Sequence, residues 1–130
     1  MTPDPRKLRF EGPIVDALIS EPGGSLPAER VRFMVDTGAD VTIVSRRVVD
    51  ALGMVRTRMD RVRGATGAPA RAPVYRAHLA ILAIDTTFDV DVLALVREDD
   101  DCDGLLGRDV LAHLRFVYDG PRGTFELQRE

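Results

Sequence analysis

The feature that most limits the fold of this chain is a series of short apolar segments with strand-like patterns, separated by turn residues. In residues 30–35 the side chains of Val31, Phe33 and Val35 alternate with more polar ones, as on one face of a β-strand. Further strands are predicted at residues 10–19, 41–44, 78–84, 88–96, 115–118 and 124–127. Helical spacing is limited to residues 45–52 and to the end of residues 105–114. The sequence therefore predicts an all-β domain with one or two short helices.

Size and charge narrow the class of protein. A chain of 130 residues, 45% apolar and 30% charged, suits one globular domain. A net charge of -3 gives no reason to expect nucleic-acid binding, and no apolar run reaches the roughly 18 residues of a membrane span. The single Cys102 cannot form an intrachain disulfide, which favours a cytoplasmic protein. We expect a flexible arm over residues 1–9 and one domain over residues 10–130.

The segment most informative about chemistry is residues 33–40, Phe-Met-Val-Asp-Thr-Gly-Ala-Asp. An apolar strand leads directly into a tight turn that begins with Asp36. Thr37 offers a hydroxyl group, Gly38 permits a close approach of the backbone, and Ala39 adds no bulk. A carboxylate in such a turn can accept hydrogen bonds from nearby backbone N–H groups. The pattern favours a rigidly held, partly dry acid at Asp36.

This segment resembles the active-site loop of the retropepsin-like aspartic proteases, whose loop reads Asp-Thr-Gly-Ala. The resemblance extends over most of the chain, because two further motifs occur in the same order and at similar spacing. Residues 63–67 stand where the family carries its glycine-containing flap, and residues 105–109 match its pair of apolar residues followed by Gly, Arg and a polar residue. The resemblance implies a closed β-barrel that assembles as a homodimer.

The resemblance also implies a role for each matching residue. Asp36 is then the catalytic carboxylate, with Thr37 bonding to the partner's loop across the dimer axis. An ion pair between Asp40 and Arg108 is expected to brace the loop. The implied site residues are Thr37, Gly38, Ala39, Asp40 and Arg108 as loop support, Arg63, Gly64, Ala65, Thr66 and Gly67 as flap, and Leu105, Leu106 and Gly107 as substrate floor.

The family's mechanism needs two carboxylates, which share a proton and activate one water molecule. This chain contains a single Asp-Thr-Gly, since the similar triplet that starts at Asp85 ends in Thr87 and lies in a polar turn. A second copy of the chain must then supply the other Asp36. The expected function is that of an aspartic endopeptidase that cuts extended peptides and needs neither a metal nor a cofactor.

Two other functions are compatible with parts of the sequence. The first is a catalytically silent, protease-like domain that dimerises or binds peptides, although a pure binder has no need of the intact acid at Asp36. The second is a calcium-binding β domain, because residues 99–104 read Asp-Asp-Asp-Cys-Asp-Gly. A calcium loop of this type also needs a Glu at its twelfth position, where this chain has Val110. A solvated run of acidic residues is therefore the better interpretation.

Overall fold

The computed structural model of the protein describes residues 3–63, 69–96 and 102–130. These residues form nine strands and three short α-helices. In chain order they are α1 (Pro5–Glu11), β1 (Ile14–Glu21), β2 (Ser25–Val35), β3 (Ile43–Ser45), α2 (Arg46–Leu52), β4 (Arg58–Arg63), β5 (Pro69–Ile81), β6 (Thr86–Leu95), β7 (Gly104–Leu106), α3 (Arg108–Leu111), β8 (Leu114–Asp119) and β9 (Thr124–Arg129). A single 3-10 turn at Leu82–Ile84 joins β5 to β6.

Six of the strands close into a barrel. Hydrogen bonding runs in the order β1-β2-β7-β3-β6-β5, and β5 pairs again with β1 to complete the circle. Strand β4 pairs with β5 alone and extends beyond the barrel as one arm of a long hairpin. Closure gives each of the six barrel strands a neighbour on both sides, while β4 is an edge strand outside the barrel. The all-β prediction and the closed barrel are confirmed.

The first hairpin of the barrel is made by a turn that only glycine suits well. Gly23 and Gly24 both have positive φ angles, of 90° and 69°. The N–H of Gly24 donates to the carbonyl of Glu21 at 3.2 Å, which closes the turn between β1 and β2. The two strands then pair antiparallel as far as Ile14 and Met34. This register brings the end of β2 to one rim of the barrel.

Two apolar clusters lie on the two sides of the barrel wall. The larger one fills the interior, and its fully buried members include Ile19, Phe33, Leu79 and Leu106. Strand alternation explains this set, because residues two apart along a strand face the same side of the sheet. A smaller cluster of Ala72, Val74 and Leu93 lies on the outer face, where the hairpin of β4 and β5 folds over the barrel. This second cluster becomes the apolar part of the candidate site.

The structure contains one more helix than the sequence predicted. Pro5–Glu11 is helical, although residues 1–9 were expected to form a flexible arm. The carboxylate of Asp4 caps the helix by accepting hydrogen bonds from the N–H groups of Arg6 and Lys7, at 3.0 and 3.3 Å. Leu8 is only 6% exposed and anchors the helix to the rest of the molecule. The boundary between arm and domain stays a prediction.

The other predicted elements are present, and most of their ends shift by a few residues. The exception is β5, which begins nine residues before the strand predicted at 78–84, and the last three residues of that prediction form the 3-10 turn instead. The helix predicted at residues 45–52 is α2, which ends at Gly53 in the left-handed conformation. The two final strands form a separate two-stranded sheet, β8 with β9. Residues 97–101 lie outside the described part of the chain, and with them most of the acidic run considered as a calcium loop. No helix in the described ranges is long and apolar enough to cross a membrane.

Candidate active site

Asp36 is the first residue after β2, and the neighbouring strand fixes its backbone. β2 runs parallel to β7, with Val35 beside Leu106. The N–H of Asp36 donates to the carbonyl of Leu106 at 3.0 Å. The chain then turns sharply, because the N–H of Ala39 donates to the carbonyl of Asp36 at 3.2 Å. The buried strand pair thus delivers a half-buried acid at the rim of the barrel.

The carboxylate of Asp36 is held by one backbone donor. Its Oδ1 accepts a hydrogen bond from the N–H of Gly38 at 2.9 Å. A Cβ atom on Gly38 would lie 3.2 Å from that oxygen, so a side chain there would crowd the acid. The Gly38 bond is the only one that the carboxylate makes within the described residues, which leaves Oδ2 available to a water molecule or a second acid.

Arg108 braces the loop, but not through the predicted ion pair. Its backbone N–H donates to the carbonyl of Ala39, and its guanidinium Nη1 donates to the carbonyl of Thr37, both at 2.8 Å. Asp40 has no ion-pair partner within 4.0 Å among the described residues. The predicted Asp40–Arg108 pair is therefore wrong for this chain. The guanidinium of Arg108 reaches the carbonyl of Thr37 because the backbone of Arg108, at the start of α3, is already bonded to the same turn.

Asp109 performs a second bracing role that the sequence analysis did not assign. Its two carboxylate oxygens accept from Thr42, one from the hydroxyl at 2.7 Å and one from the N–H at 3.0 Å. The hydroxyl of Thr42, fully buried, in turn accepts from the N–H of Gly107 at 3.1 Å. A signal was present in the sequence, because Gly-Ala-Asp-Val at 38–41 and Gly-Arg-Asp-Val at 107–110 echo each other.

The three residues predicted as substrate floor have different surroundings. Leu105 lines the cavity that contains Asp36. Leu106 is fully buried and belongs to the barrel core. Gly107 is buried against the neighbouring loop, where an added Cβ would lie 2.5 Å from the backbone of Val41. Leu105 alone among them is placed to contact a ligand beside Asp36, while the other two hold the loop in position.

A cavity of about 670 Å³ opens beside Asp36. Its apolar lining comes from the second cluster and its neighbours: Val41, Ile43, Val62, Val74, Leu93, Leu95 and Leu105. Its charged lining comes from Asp36 and Asp40 on the loop, from Arg58, Asp60 and Arg61 on β4, and from Asp91 on β6. A cavity of this size with a carboxylate at one end suits part of an extended peptide.

The charged residues beside the cavity, Arg58, Asp60, Arg76 and Asp91, form a charged wall that is organised around Asp91. Its carboxylate accepts from Arg58 at 3.0 Å and from Arg76 at 3.3 Å. The hydrogen bond from Arg58 is the main reason that the pKa of Asp91 lies below its usual value; partial burial opposes this effect, and Arg76 adds to it. Arg58 thus links β4 to β6 across the strand between them. Sequence analysis missed this wall, because it depends on the register of three strands.

Two predicted parts of the site are not settled by these contacts. Residues 64–68 lie outside the described part of the chain, so the flap assignment of Gly64, Ala65, Thr66 and Gly67 stays a prediction, and Arg63 is described only as the last residue of β4. The side chain of Thr37 is exposed and has no hydrogen bond within the described residues. Its bond across a dimer axis also stays a prediction.

Fold and site together define an aspartic-protease-like β-barrel. The family model described as "gag-polyprotein putative aspartyl protease" matches residues 24–113, which is more than half of the chain and includes Asp36. The protein belongs to this family. None of the curated proteins matches the chain.

Two solved structures confirm the fold. EIAV protease in complex with the inhibitor HBY-793 is 18% identical, with a TM-score of 0.57, over 77% of this chain and 85% of that one. A retropepsin-like aspartic protease from Rickettsia conorii is 20% identical, with a TM-score of 0.54, over 82% of this chain and 75% of that one. The protein has the retropepsin-like fold that the sequence analysis expected.

Proposed function

We propose that this protein is an aspartic endopeptidase that works as a homodimer in the cytoplasm and cuts extended peptides. Asp36 of each copy supplies one of the two carboxylates. One carboxylate acts as general base toward a shared water molecule, and the other acts as general acid toward the peptide. The substrate lies as a strand between the active-site loops and the two flaps, with its side chains in cavities such as the one beside Asp36.

The observation that carries this proposal is the setting of Asp36. Its carboxylate is fixed at Oδ1 by the N–H of Gly38, while it borders a cavity of about 670 Å³. Asp109 differs, because both of its oxygens accept hydrogen bonds from Thr42. Asp36 keeps hydrogen-bonding capacity toward the cavity, which is what activation of a water molecule requires.

A second copy is needed because one chain supplies one such acid. The separate sheet of β8 and β9 is a suitable place for the copies to meet. A two-stranded sheet is marginally stable alone in water, and added strands extend it favourably. Val117 and Tyr118 on β8 are 38% and 50% exposed, so apolar surface is available there. We expect a total buried area of about 1,600 Å² or more for a stable pair.

The alternative function, a silent protease-like domain that binds peptides or dimerises, uses the same cavity without chemistry. It predicts that the acid at position 36 can be changed without loss of function. The two functions are therefore separated by one substitution.

Replacing Asp36 by Asn should abolish peptide cleavage while the fold and the dimer persist. The amide has nearly the same size as the acid, but it cannot act as a general base, and both carboxylates of the dimer are lost together. The loss should exceed the roughly 10²–10⁴-fold that one general acid–base group contributes. The measurement is turnover of a peptide library by mass spectrometry, with circular dichroism and sedimentation to verify the fold and the dimer.

Glu21→Gln is a matched control, because it also converts one acid to its amide. Glu21 is exposed at the far end of the β1–β2 hairpin, about 33 Å along the strand from Asp36. Its cleavage rate should equal that of the unmodified protein. Near-normal cleavage by the Asp36→Asn protein would contradict the aspartic mechanism, whereas the silent-domain alternative predicts that the unmodified protein cleaves no peptide and that both proteins bind peptides equally well.

A further inference from the structure

We infer that the cavity beside Asp36 selects a lysine or arginine side chain of the substrate, through the carboxylates of Asp60 and Asp40. The inference rests on the proposed function, since it concerns the same site, and it adds the class of residue that the site recognises. Three observations support it. They are the apolar lining of the cavity, the ion pairs that Asp91 makes in the charged wall, and the carboxylates of Asp60 and Asp40.

The apolar lining accommodates a long side-chain stem. Val41, Val62 and Leu95 are partly exposed members of the second cluster, and they line the cavity between the Asp36 loop and β4. A peptide side chain that extends along this surface buries its methylene groups before it reaches a charged residue. Lysine and arginine have this construction, with an apolar stem and a cationic end.

The cations of the wall are largely neutralised by its own acids. Arg58 and Arg76 both donate to Asp91, at 3.0 and 3.3 Å. Asp60 lies farther from Arg58, at 3.9 Å, and its side chain is 54% exposed. Asp60 is therefore the acid in this network with the most capacity for another cation.

Asp40 adds a charge that is not offset by an ion pair with any residue in the described ranges. It is exposed, it lines the same cavity, and the described residues place no cation within ion-pair distance of it, because Arg108 binds the carbonyl of Thr37 instead. Asp36 contributes further negative charge at the end of the cavity. Among the described residues, four carboxylates line the cavity, and the guanidinium groups beside them are those of Arg58 and Arg61 in the lining and of Arg76 on Asp91.

The remaining cation, Arg61, borders the cavity from the opposite face of β4, because side chains alternate along a strand. Arg58, Asp60 and Val62 share the face of β4 that carries Ala72 and Val74 on the paired strand. Arg61 is on the opposite face, directly across from Arg71. Arg61 therefore does not share a face of β4 with Asp60, and Arg58 is the guanidinium group that faces this carboxylate, at 3.9 Å.

The test compares peptides that differ at one position near the cleaved bond. Lysine, norleucine and glutamate are placed in turn at each of the few positions on either side of a bond that the protein cuts. At one position, lysine should raise kcat/KM over norleucine by about twofold to fivefold, the range of a partly exposed ion pair, and glutamate should lower it. The preference should weaken with added salt, since screening acts on exposed pairs.

Two variants assign the preference to its residues. Asp60→Asn and Asp40→Asn should each reduce the ratio of lysine to norleucine toward one, whereas Glu21→Gln should leave the ratio unchanged. Equal cleavage of the lysine and norleucine peptides at every position, or a preference for glutamate, overturns the inference. A lysine preference that survives in both Asp variants overturns it as well.

A binding measurement separates this inference from the proposed catalysis. The Asp36→Asn protein is titrated with the lysine and norleucine peptides by calorimetry, and the lysine peptide should bind about twofold to fivefold more tightly. Absence of cleavage by the unmodified protein, with this difference in affinity still present, counts against the catalytic proposal alone. Equal affinities count against the cation-selective cavity, whatever the activity of the unmodified protein.

Discussion

At the scale of single residues, Asp91 connects strands beside the candidate site through its two arginine partners. Strand β4 is bonded along its backbone to β5 only, yet the side chain of Arg58 reaches Asp91 on β6. The same carboxylate binds Arg76, directly opposite it in the β5–β6 register. One acid therefore ties the base of the projecting hairpin to the barrel wall beside the cavity.

Replacing Asp91 by Asn should lower the free energy of unfolding at pH 7 by about 1 kcal/mol, since partly exposed ion pairs contribute on the order of 0.2–1 kcal/mol each. This difference in unfolding free energy should become smaller as the pH falls. Folding lowers the pKa of Asp91, so its stabilisation is present above the unfolded value of about 3.9 and is lost as the pH falls through the folded value. Urea unfolding at pH 7 and at pH 3 measures both quantities.

The control for this experiment is again Glu21→Gln, which removes an acid that has no ion pair in the described chain. Its unfolding free energy should match that of the unmodified protein at both values of pH. If the Asp91→Asn substitution lowered the free energy of unfolding as much at pH 3 as at pH 7, the charge of Asp91 would not be what stabilises the fold.

Sequence reasoning at this scale succeeded where a local motif sufficed. Asp36 and the turn residues after it were predicted as one tight loop, and the bond from Gly38 to Asp36 has the expected form. The contact of Arg108 with Thr37 was not predicted, because it depends on how α3 meets the loop in space. The register that joins Arg58 to Asp91 likewise has no local signature.

At the scale of elements, helix α1 is locked against the C-terminal hairpin. Gly123, in the turn between β8 and β9, has a φ angle of 67° and is buried against the backbone at the start of α1. A Cβ atom at this position would overlap the backbone of Asp4 and Pro5. The helix and the hairpin turn therefore fit together only because residue 123 lacks a side chain.

Replacing Gly123 by Ala should destabilise the fold by about 2–4 kcal/mol, through left-handed strain together with steric overlap. Gly53→Ala is a matched control, because Gly53 has a similar φ angle of 63° and an added Cβ would meet nothing within 4 Å. Its cost should be about 1 kcal/mol, from the strain alone. Thermal unfolding of the two variants gives the comparison; equal costs would show that the contact with α1 is unimportant.

The helices α1 and α2 differ in how strongly the local sequence indicates them. Helix α2 was predicted because its apolar spacing and Gly53 are strong signals, and the structure has the left-handed end at that glycine. Helix α1 was missed because it has seven residues and a single buried apolar side chain, Leu8. Its only sequence signal is an Asp before a Pro, the pattern of an N-cap followed by the first helical residue.

At the scale of the whole molecule, the closed barrel leaves its candidate catalytic acid at an open rim. Asp36 is half-buried and Thr37 is exposed on the same loop. The barrel core lies behind the loop, and the cavity lies to one side. This arrangement suits an active site that a second copy completes.

The activity of such a dimer should be highest at acid pH. Two carboxylates close together share one proton, and raising the pH until both ionise removes the general acid. The apparent pKa values belong to the pair of acids and not to either one. Peptide cleavage measured as a function of pH should therefore fall on the alkaline side, and a rate that continues to rise through about pH 9 would exclude a shared-proton mechanism.

The most direct test of the central claim is to mix the unmodified protein with the Asp36→Asn variant. Cleavage is measured at a fixed amount of unmodified protein, after the subunits have had time to exchange. If each active site needs Asp36 from two copies, mixed dimers are inactive, and random pairing at a ninefold excess of variant should leave about one tenth of the activity. Activity that stays constant as the variant is added would show that a single chain carries a complete site, and would contradict the account.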